Sequence, residues 1–306
     1  MKRRRPRFGL VCLVVLLLAV TASPTRAAES PAYVAFAQGQ YQTALKLAET
    51  EAAQGSKEAY TLLGEIYSEG LGVTQDFQKA ADAYAKAATL GDTNAQFSLG
   101  ALLAEGRGVK KDLTRAADLF EKAAANGHSS AQYNLALLYL DGKGRPADEQ
   151  KAVEWMQKAA EQGNAPAEYD LGSLYQEGRG VAIDMAKAAE WTGRAAEAGL
   201  AEAQVEYGVM LYKGEGVVPD EARAAKFFRL SADQGNPVAQ NRLARLYANG
   251  AVVGSDPVQA AKWHLLARAA GVSDFSLDLL LAKLTPEQRA AAEEAAEEWR
   301  EGRLPD

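Results

Sequence analysis

One period governs this sequence. The pair Leu63-Gly64 returns as Leu99-Gly100, Leu135-Ala136, Leu171-Gly172, Tyr207-Gly208 and Leu243-Ala244, at a constant step of 36 residues. A Gly-x-Gly follows at the same step, as Gly70/Gly72, Gly106/Gly108, Gly142/Gly144, Gly178/Gly180 and Gly214/Gly216. The last copy keeps Gly250 but has Val252 where the second glycine belongs. An aspartate comes next each time (Asp76, Asp112, Asp148, Asp184, Asp220, Asp256), and a glycine closes each unit (Gly91, Gly127, Gly163, Gly199, Gly235, Gly271). Six units therefore run from Ser56 to Gly271 without an insertion. A fixed period of this size marks a chain that stacks one small supersecondary unit on copies of itself, because a single unit cannot bury its own apolar face.

Each unit reads as two helices. In "AQYNLALLYLDG", Ala131, Leu135, Leu138 and Tyr139 fall on one helical face. The small residue at Gly64, Gly100 or Ala136 leaves room for a neighbouring helix. The aspartate starts the second helix, because its carboxylate can accept from the free N–H groups of the first turn and suits the positive end of the dipole. That helix buries Ala80, Ala83, Tyr84 and Ala87 or their equivalents, and Gly91 stops it at a position that favours positive φ. Pro166 and Pro237 stand at starts of first helices, where a missing N–H costs little.

The Gly-x-Gly in "YSEGLGVTQD" is thus not a phosphate loop. Such a loop follows a strand and carries a Lys and a Ser or Thr. This one follows a helix, has Glu69 beside it and recurs in every unit. Gly70 ends one helix, Val73 can tuck into the interface and Asp76 starts the next.

These residues resemble the Sel-one-like repeat (SLR) family in its exported bacterial form, a relative of the tetratricopeptide repeat. The unit "AEYDLGSLYQEGRGVAIDMAKAAEWTGRAAEAG", from Ala167 to Gly199, follows the family pattern almost throughout. The resemblance implies an all-α fold, an α-solenoid of stacked antiparallel helix pairs wound into a right-handed superhelix, with first helices lining the concave side. It also implies protein binding and scaffolding, and does not imply catalysis.

The flanks fit a capped array, since stacked repeats leave two open ends. Residues 28–55 are expected to form an N-terminal capping helical pair around Gly39, Tyr41 and Ala44, and residues 56–271 the six repeats. Residues 272–306 are expected to be C-terminal capping helices. There Phe275, Leu279 and Leu280 are expected to cover the last unit. "TPEQ" is a capping box of Thr285, Pro286 and Gln288, opening a helix with a thin face of Ala292, Ala295, Ala296 and Trp299.

The first 27 residues read as an export signal: Lys2, Arg3, Arg4, Arg5 and Arg7, an apolar run of 11 residues from Leu10 to Val20, then small residues to Ala27 and Ala28. The run is too short to span a bilayer, which needs roughly 20 residues. Cleavage there implies a periplasmic or secreted protein with no stable membrane insertion. Cys12, the single cysteine, lies in that run, so the mature chain holds no disulfide, thiolate ligand or thiol nucleophile. Removing the six basic residues of the leader leaves 28 against 40 acidic residues, a balance of −12. Such a chain repels nucleic acid and anionic lipid.

Catalytic chemistry has little to stand on. Beyond the leader the histidines are His128, in a turn after a closing glycine, and His264, at a packing position, with no metal-ligand spacing. There is no H-E-x-x-H, G-x-S-x-G or Walker sequence. A cysteine-rich group related to the family is linked to β-lactam hydrolysis, but no serine here has a lysine three residues on. Trp155, Trp191 and Trp263 share one repeat position with Ala83, Leu119 and Phe227, which is core packing rather than a cofactor box. No metal and no cofactor is expected.

Function then sits where the repeat departs from itself. Three first-helix positions vary: Thr61, Phe97, Tyr133, Tyr169, Val205 and Asn241; Leu62, Ser98, Asn134, Asp170, Glu206 and Arg242; Glu65, Ala101, Leu137, Ser173, Val209 and Arg245. By the resemblance these project into the concave groove. Phe97, Tyr133, Asn134, Leu137, Tyr169 and Asp170 form its middle and Arg242 and Arg245 its far end, the aromatics either anchoring a partner or filling space between helices. The expected function is a non-catalytic scaffold or regulator that binds a protein or peptide in the cell envelope. The alternatives are a cell-wall glycan binder and, against the missing motifs, a hydrolase of β-lactam or cell-wall substrates. The partner's identity and the oligomeric state are not encoded at this level.

Overall fold

The computed structural model describes residues 30–250 and 252–302. The signal read in the first 27 residues lies outside them. The described residues hold sixteen α-helices and no strand. α1 (Pro31–Ala37) and α2 (Tyr41–Ala53) come first. Six pairs follow: α3 (Lys57–Glu69) with α4 (Phe77–Thr89), α5 (Thr93–Glu105) with α6 (Leu113–Ala125), and α7 (Ser129–Asp141) with α8 (Glu149–Glu161). Then come α9 (Ala165–Glu177) with α10 (Met185–Glu197), α11 (Ala201–Lys213) with α12 (Glu221–Asp233), and α13 (Pro237–Asn249) with α14 (Pro257–Ala269). α15 (Phe275–Lys283) and α16 (Pro286–Glu301) end the order. Two compact units result: residues 30–95 with Arg107–Val109, and Gln96–Gly106 with residues 110–302.

Every helix of the six pairs is 13 residues long; each second helix starts at an aspartate and each first helix is followed by a positive-φ glycine. Asp76, Asp112, Asp148, Asp184, Asp220 and Asp256 are all N-caps whose carboxylates accept from N–H groups of the first turn. Each cap contributes about 1 kcal/mol. The same six aspartates use their own N–H groups to close the loop. They donate to carbonyls of Tyr67, Leu103, Tyr139, Tyr175, Leu211 and Tyr247 on the first helix, at 2.9–3.1 Å. One residue thereby fixes both helices of its pair.

In the first unit, α1–α4 share a core of small alanines with Leu62, Leu63 and Ile66, and Val73 of the loop packs against it. In the second unit a continuous core runs from Ala136 to Leu246 through Met156, Leu171, Trp191, Tyr207 and Phe228. In several pairs the small residue of the first helix faces an aromatic ring of the second, while Gly172 faces Thr192. A Cβ on Gly100 would lie 2.7 Å from the Phe120 ring, and one on Gly208 2.7 Å from the Phe228 ring. Where alanine stands there, as Ala136 and Ala244, the residue 20 positions on is Met156 or His264.

A second stitch joins successive pairs. Gln132, Gln204 and Gln240 are buried and donate to the carbonyls of Ala124, Ala196 and Ala232, near the end of the preceding second helix. In the fourth pair Glu168 takes that position. It pairs with Arg194 at 3.1 Å, and Arg194 reaches the Ala160 carbonyl.

At the C-terminal end the face of α15 differs from the expectation. Leu277 and Leu281 are buried, while Phe275 is 76% and Leu279 46% exposed. The cause is Asp274, which caps α15 and is also held by Asn241 and Arg245, fixing the rotation of the helix. α16 buries Ala292 and Ala296 and sets Trp299 edge-on to Trp263, with ring centroids 6.0 Å apart. Its capping box of Thr285 and Gln288 is formed.

In the first five loops the second glycine is the tightest point. At Gly144, φ is +72° and a Cβ would lie 2.6 Å from the carbonyl carbon of Leu113, whereas at Gly127, φ is +88° and nothing lies within 4 Å. Alanine at either position takes a left-handed conformation, at a cost of about 1–2 kcal/mol. Gly144→Ala must also displace the start of α6, adding about 1–3 kcal/mol. Thermal melts followed by circular dichroism are therefore expected to show a clearly larger fall for Gly144→Ala than for Gly127→Ala.

Candidate functional site

The varying first-helix positions of the second unit resolve into two clusters. The first spans α5, α7 and α9. Phe97 is half-buried, stacks on His128 at 4.5 Å with 24° between the rings, and meets Phe120 at 5.8 Å. Tyr133 is half-buried, and its hydroxyl donates to Asp170 Oδ2 at 2.9 Å, tying one first helix to the next. Asn134 turns back on its own helix, donating to the Ser130 carbonyl at 2.8 Å. Leu137 and Tyr169 pack half-exposed on the core.

Asp170 is 7% exposed. Burial pushes its carboxyl up to about 6, the Tyr133 hydrogen bond working in the opposite direction. Burial and the neighbouring Asp170 in turn hold the Tyr133 phenol far above its usual range. The pair is therefore a phenol that does not ionise beside a carboxyl poised to change charge near neutrality.

The second cluster joins α13 to α15. Asp274 Oδ2 accepts from Arg245 Nε at 2.6 Å and from Asn241 Nδ2 at 2.9 Å, while Ser276 Oγ donates to Oδ1 at 2.6 Å. Burial opposes the charge, yet these hydrogen bonds outweigh it and hold the Asp274 carboxyl far below the usual range. Arg245 thus has its charge engaged by Asp274. Arg242 is exposed and makes no hydrogen bond or ion pair with the described residues.

Both histidines are engaged. His128 is the N-cap of α7, where its Nδ1 accepts from Ala131 N–H at 3.2 Å. His264 is fully buried, as its packing position suggests, but it is not isolated: Nε2 lies 2.8 Å from Asp278 Oδ1. Fourteen residues and a helix boundary separate that pair in sequence, beyond the reach of a local motif. Of the three tryptophans at one repeat position, Trp263 and Trp191 are buried, and Trp155 is half-buried under Lys158 at 3.9 Å. Among the described residues no three His, Cys, Asp or Glu side chains gather as metal ligands. No described helix is long and apolar enough to cross a membrane.

Asp274 escaped the sequence reading, which named Arg245 and Asn241 only as positions of the groove. The available signal was an aspartate directly before an apolar run, which marks an N-cap. Nothing local points to Arg245, 29 residues earlier.

The raised Asp170 carboxyl gives a pH prediction. The folded chain keeps a proton there that the unfolded chain releases near pH 4. That contribution to stability is complete below about pH 4 and lost as pH rises through about 6. Asp170→Asn keeps an acceptor for Tyr133 and removes the charge. Its melting midpoint is expected to exceed the parent's by about 5 °C at pH 8 and to approach it at pH 4.

The family model of the Sel1 repeat matches residues 57–92, 93–128, 129–164, 165–200, 201–236 and 237–272. Among solved structures, the chain is similar to a protective antigen of uropathogenic Escherichia coli strains that displays an SLR fold, at 32% identity and a TM-score of 0.78. That alignment covers 89% of this chain and 62% of the antigen, so the chain spans less than two thirds of the antigen's length. It is also similar to a Sel1 repeat protein from Oxalobacter formigenes, at 30% identity and a TM-score of 0.68, over 79% of this chain and 97% of that one. No curated protein matches the chain.

Proposed function

The chain belongs to the Sel1 repeat family, and from that premise we propose that it is a non-catalytic scaffold or regulator of the cell envelope. It holds a protein or peptide against the varying strip of its first helices. Proteins of this family generally act as protein–protein interaction scaffolds. The envelope location rests on the leader read in the sequence.

One observation carries the choice of surface. Most of the positions that differ between units stay partly open, with Thr61, Leu62, Asp170 and Asn241 the buried exceptions, whereas the repeated ones are closed. Phe97, Tyr133, Asn134, Leu137 and Tyr169 are all half-exposed, while Ala131, Leu135, Ala167 and Leu171 on the same helices are fully buried. Half-exposed aromatics beside polar groups lose little side-chain entropy on binding and are the usual anchors of a recognition surface. A concave setting for these helices is what the family resemblance implies, and it supports this choice of strip.

The test is crosslinking in the native host followed by mass spectrometry, with the parent and with Tyr133→Ala combined with Tyr169→Ala. The double variant is expected to keep its helicity by circular dichroism and to lose its protein adduct at least about tenfold, in line with two anchors worth over 1 kcal/mol each. An unchanged adduct contradicts the assignment of this strip. Retention on peptidoglycan with no protein adduct replaces it with the glycan reading.

A further inference from the structure

The second helices also depart from their own repeat, in charge. One position reads Asp82, Asp118, Glu154 and Glu190 in the first four pairs and Lys226 and Lys262 in the last two. Three residues on, the second pair has Glu121 and the fifth has Arg229. In the second pair this anionic couple has a counter-ion within the chain. Arg145, from the loop of the following pair, places Nη2 2.6 Å from Asp118 and 2.8 Å from Glu121. In the fifth pair the couple is Lys226 and Arg229, and Val253 stands where Arg145 stood. The helix has reversed its sign and the loop offers no charge in return.

The loop has also lost the glycine that makes the close approach elsewhere. A Cβ on Gly144, Gly180 or Gly216 would collide with backbone at Leu113, Glu149 or Met185, the start of the preceding second helix. Val252 replaces that glycine in the last loop. A cavity of 270 Å³ is lined by Ala222, Ala225, Lys226 and Arg229 of α12, Leu243 and Tyr247 of α13, and Val252 and Val253 of this loop.

The two cations lack an anionic partner among the described residues. Lys226 makes no hydrogen bond or ion pair with them. Arg229 Nη2 donates to the Tyr247 hydroxyl at 2.6 Å, a neutral acceptor, and its guanidinium lies 5.6 Å from the Trp263 ring. Nearby, Asp233 and Glu298 act on Lys262, on which Arg229 also acts.

We infer that this cavity is a second binding site, which receives the side-chain carboxylate of a glutamate on a partner polypeptide. It lies between α12, α13 and the loop that follows α13, away from the varying first-helix strip, and does not depend on that reading. Two cations around one carboxylate invert the arrangement that Arg145 makes with Asp118 and Glu121. The remaining wall of alanine, leucine and valine matches the methylene stem of a glutamate, which a free inorganic anion lacks. The volume falls below the roughly 300–1,000 Å³ of small-molecule sites, which suits one side chain rather than a cofactor.

The experiment is an ¹⁵N-resolved titration of the full chain with the blocked tripeptide acetyl-Val-Glu-Val-amide, with its Gln counterpart and with inorganic phosphate. The glutamate peptide is expected to shift the amides of Lys226, Arg229 and Val253, and the Gln peptide to bind at least about tenfold more weakly. Lys226→Glu is expected to abolish the shifts. Val253→Glu supplies a carboxylate in cis, so it is expected to abolish them too while raising the melting midpoint, and Val253→Gln to retain them. The Tyr133→Ala, Tyr169→Ala protein is expected to bind the peptide as the parent does. Equal binding of the Gln peptide, equal shifts from phosphate alone, unaffected binding in Val253→Glu, or no shift at all overturns the site.

Discussion

The fold depends on what one aspartate does in each repeat. Its carboxylate caps the second helix and its N–H closes the loop onto the first, so the two helices of a pair cannot slide independently. Six repetitions of this bond at 36-residue steps give every helix of the array the same length. Everything else follows from that register. In several pairs the small residue on the first helix meets an aromatic ring on the second, the loop glycine approaches the preceding pair, and the buried glutamine reaches a carbonyl across the boundary. None of these contacts survives a shift of one residue, which rotates a helix by about 100°.

Much of this was legible because a repeat states its rules many times. The aspartate cap, the left-handed glycine after each first helix and the buried alanines of the second helix all recur at fixed steps, and the structure uses them as read. What was not legible lies between repeats. Gln132 looks like a surface residue on its own helix; only stacking reveals that its amide meets the Ala124 carbonyl. α15 is apolar on several faces (Phe275, Leu277, Leu279, Leu280, Leu281), so periodicity alone did not choose which face turns inward. The choice was made by Asp274 holding Arg245 and Asn241. The candidate site shows the same limit. Its residues were found as positions of variation, but the bond between Tyr133 and Asp170 joins two repeats and has no local signature.

Uniform framework and varied surface are two consequences of one constraint. A residue in the repeated core must fit the same neighbours six times, so it has no freedom to carry a particular partner. The varied first-helix strip has that freedom. Within it, Phe97 and Tyr133 also contact neighbouring helices, so anchoring and packing share the same rings. The reversed charge on α12 shows that the second helices can be individualised as well, beside the loop that lacks the second glycine.

The most direct test of the claim that the first helices carry the partner is a site-by-site photo-crosslinking scan in the native host. A benzophenone amino acid is placed in turn at positions 97, 133 and 169, and at positions 154 and 190 on the second helices. The account predicts one discrete protein adduct from the first set and none from the second. Adducts from positions 154 and 190 alone, or equally from both sets, contradict it.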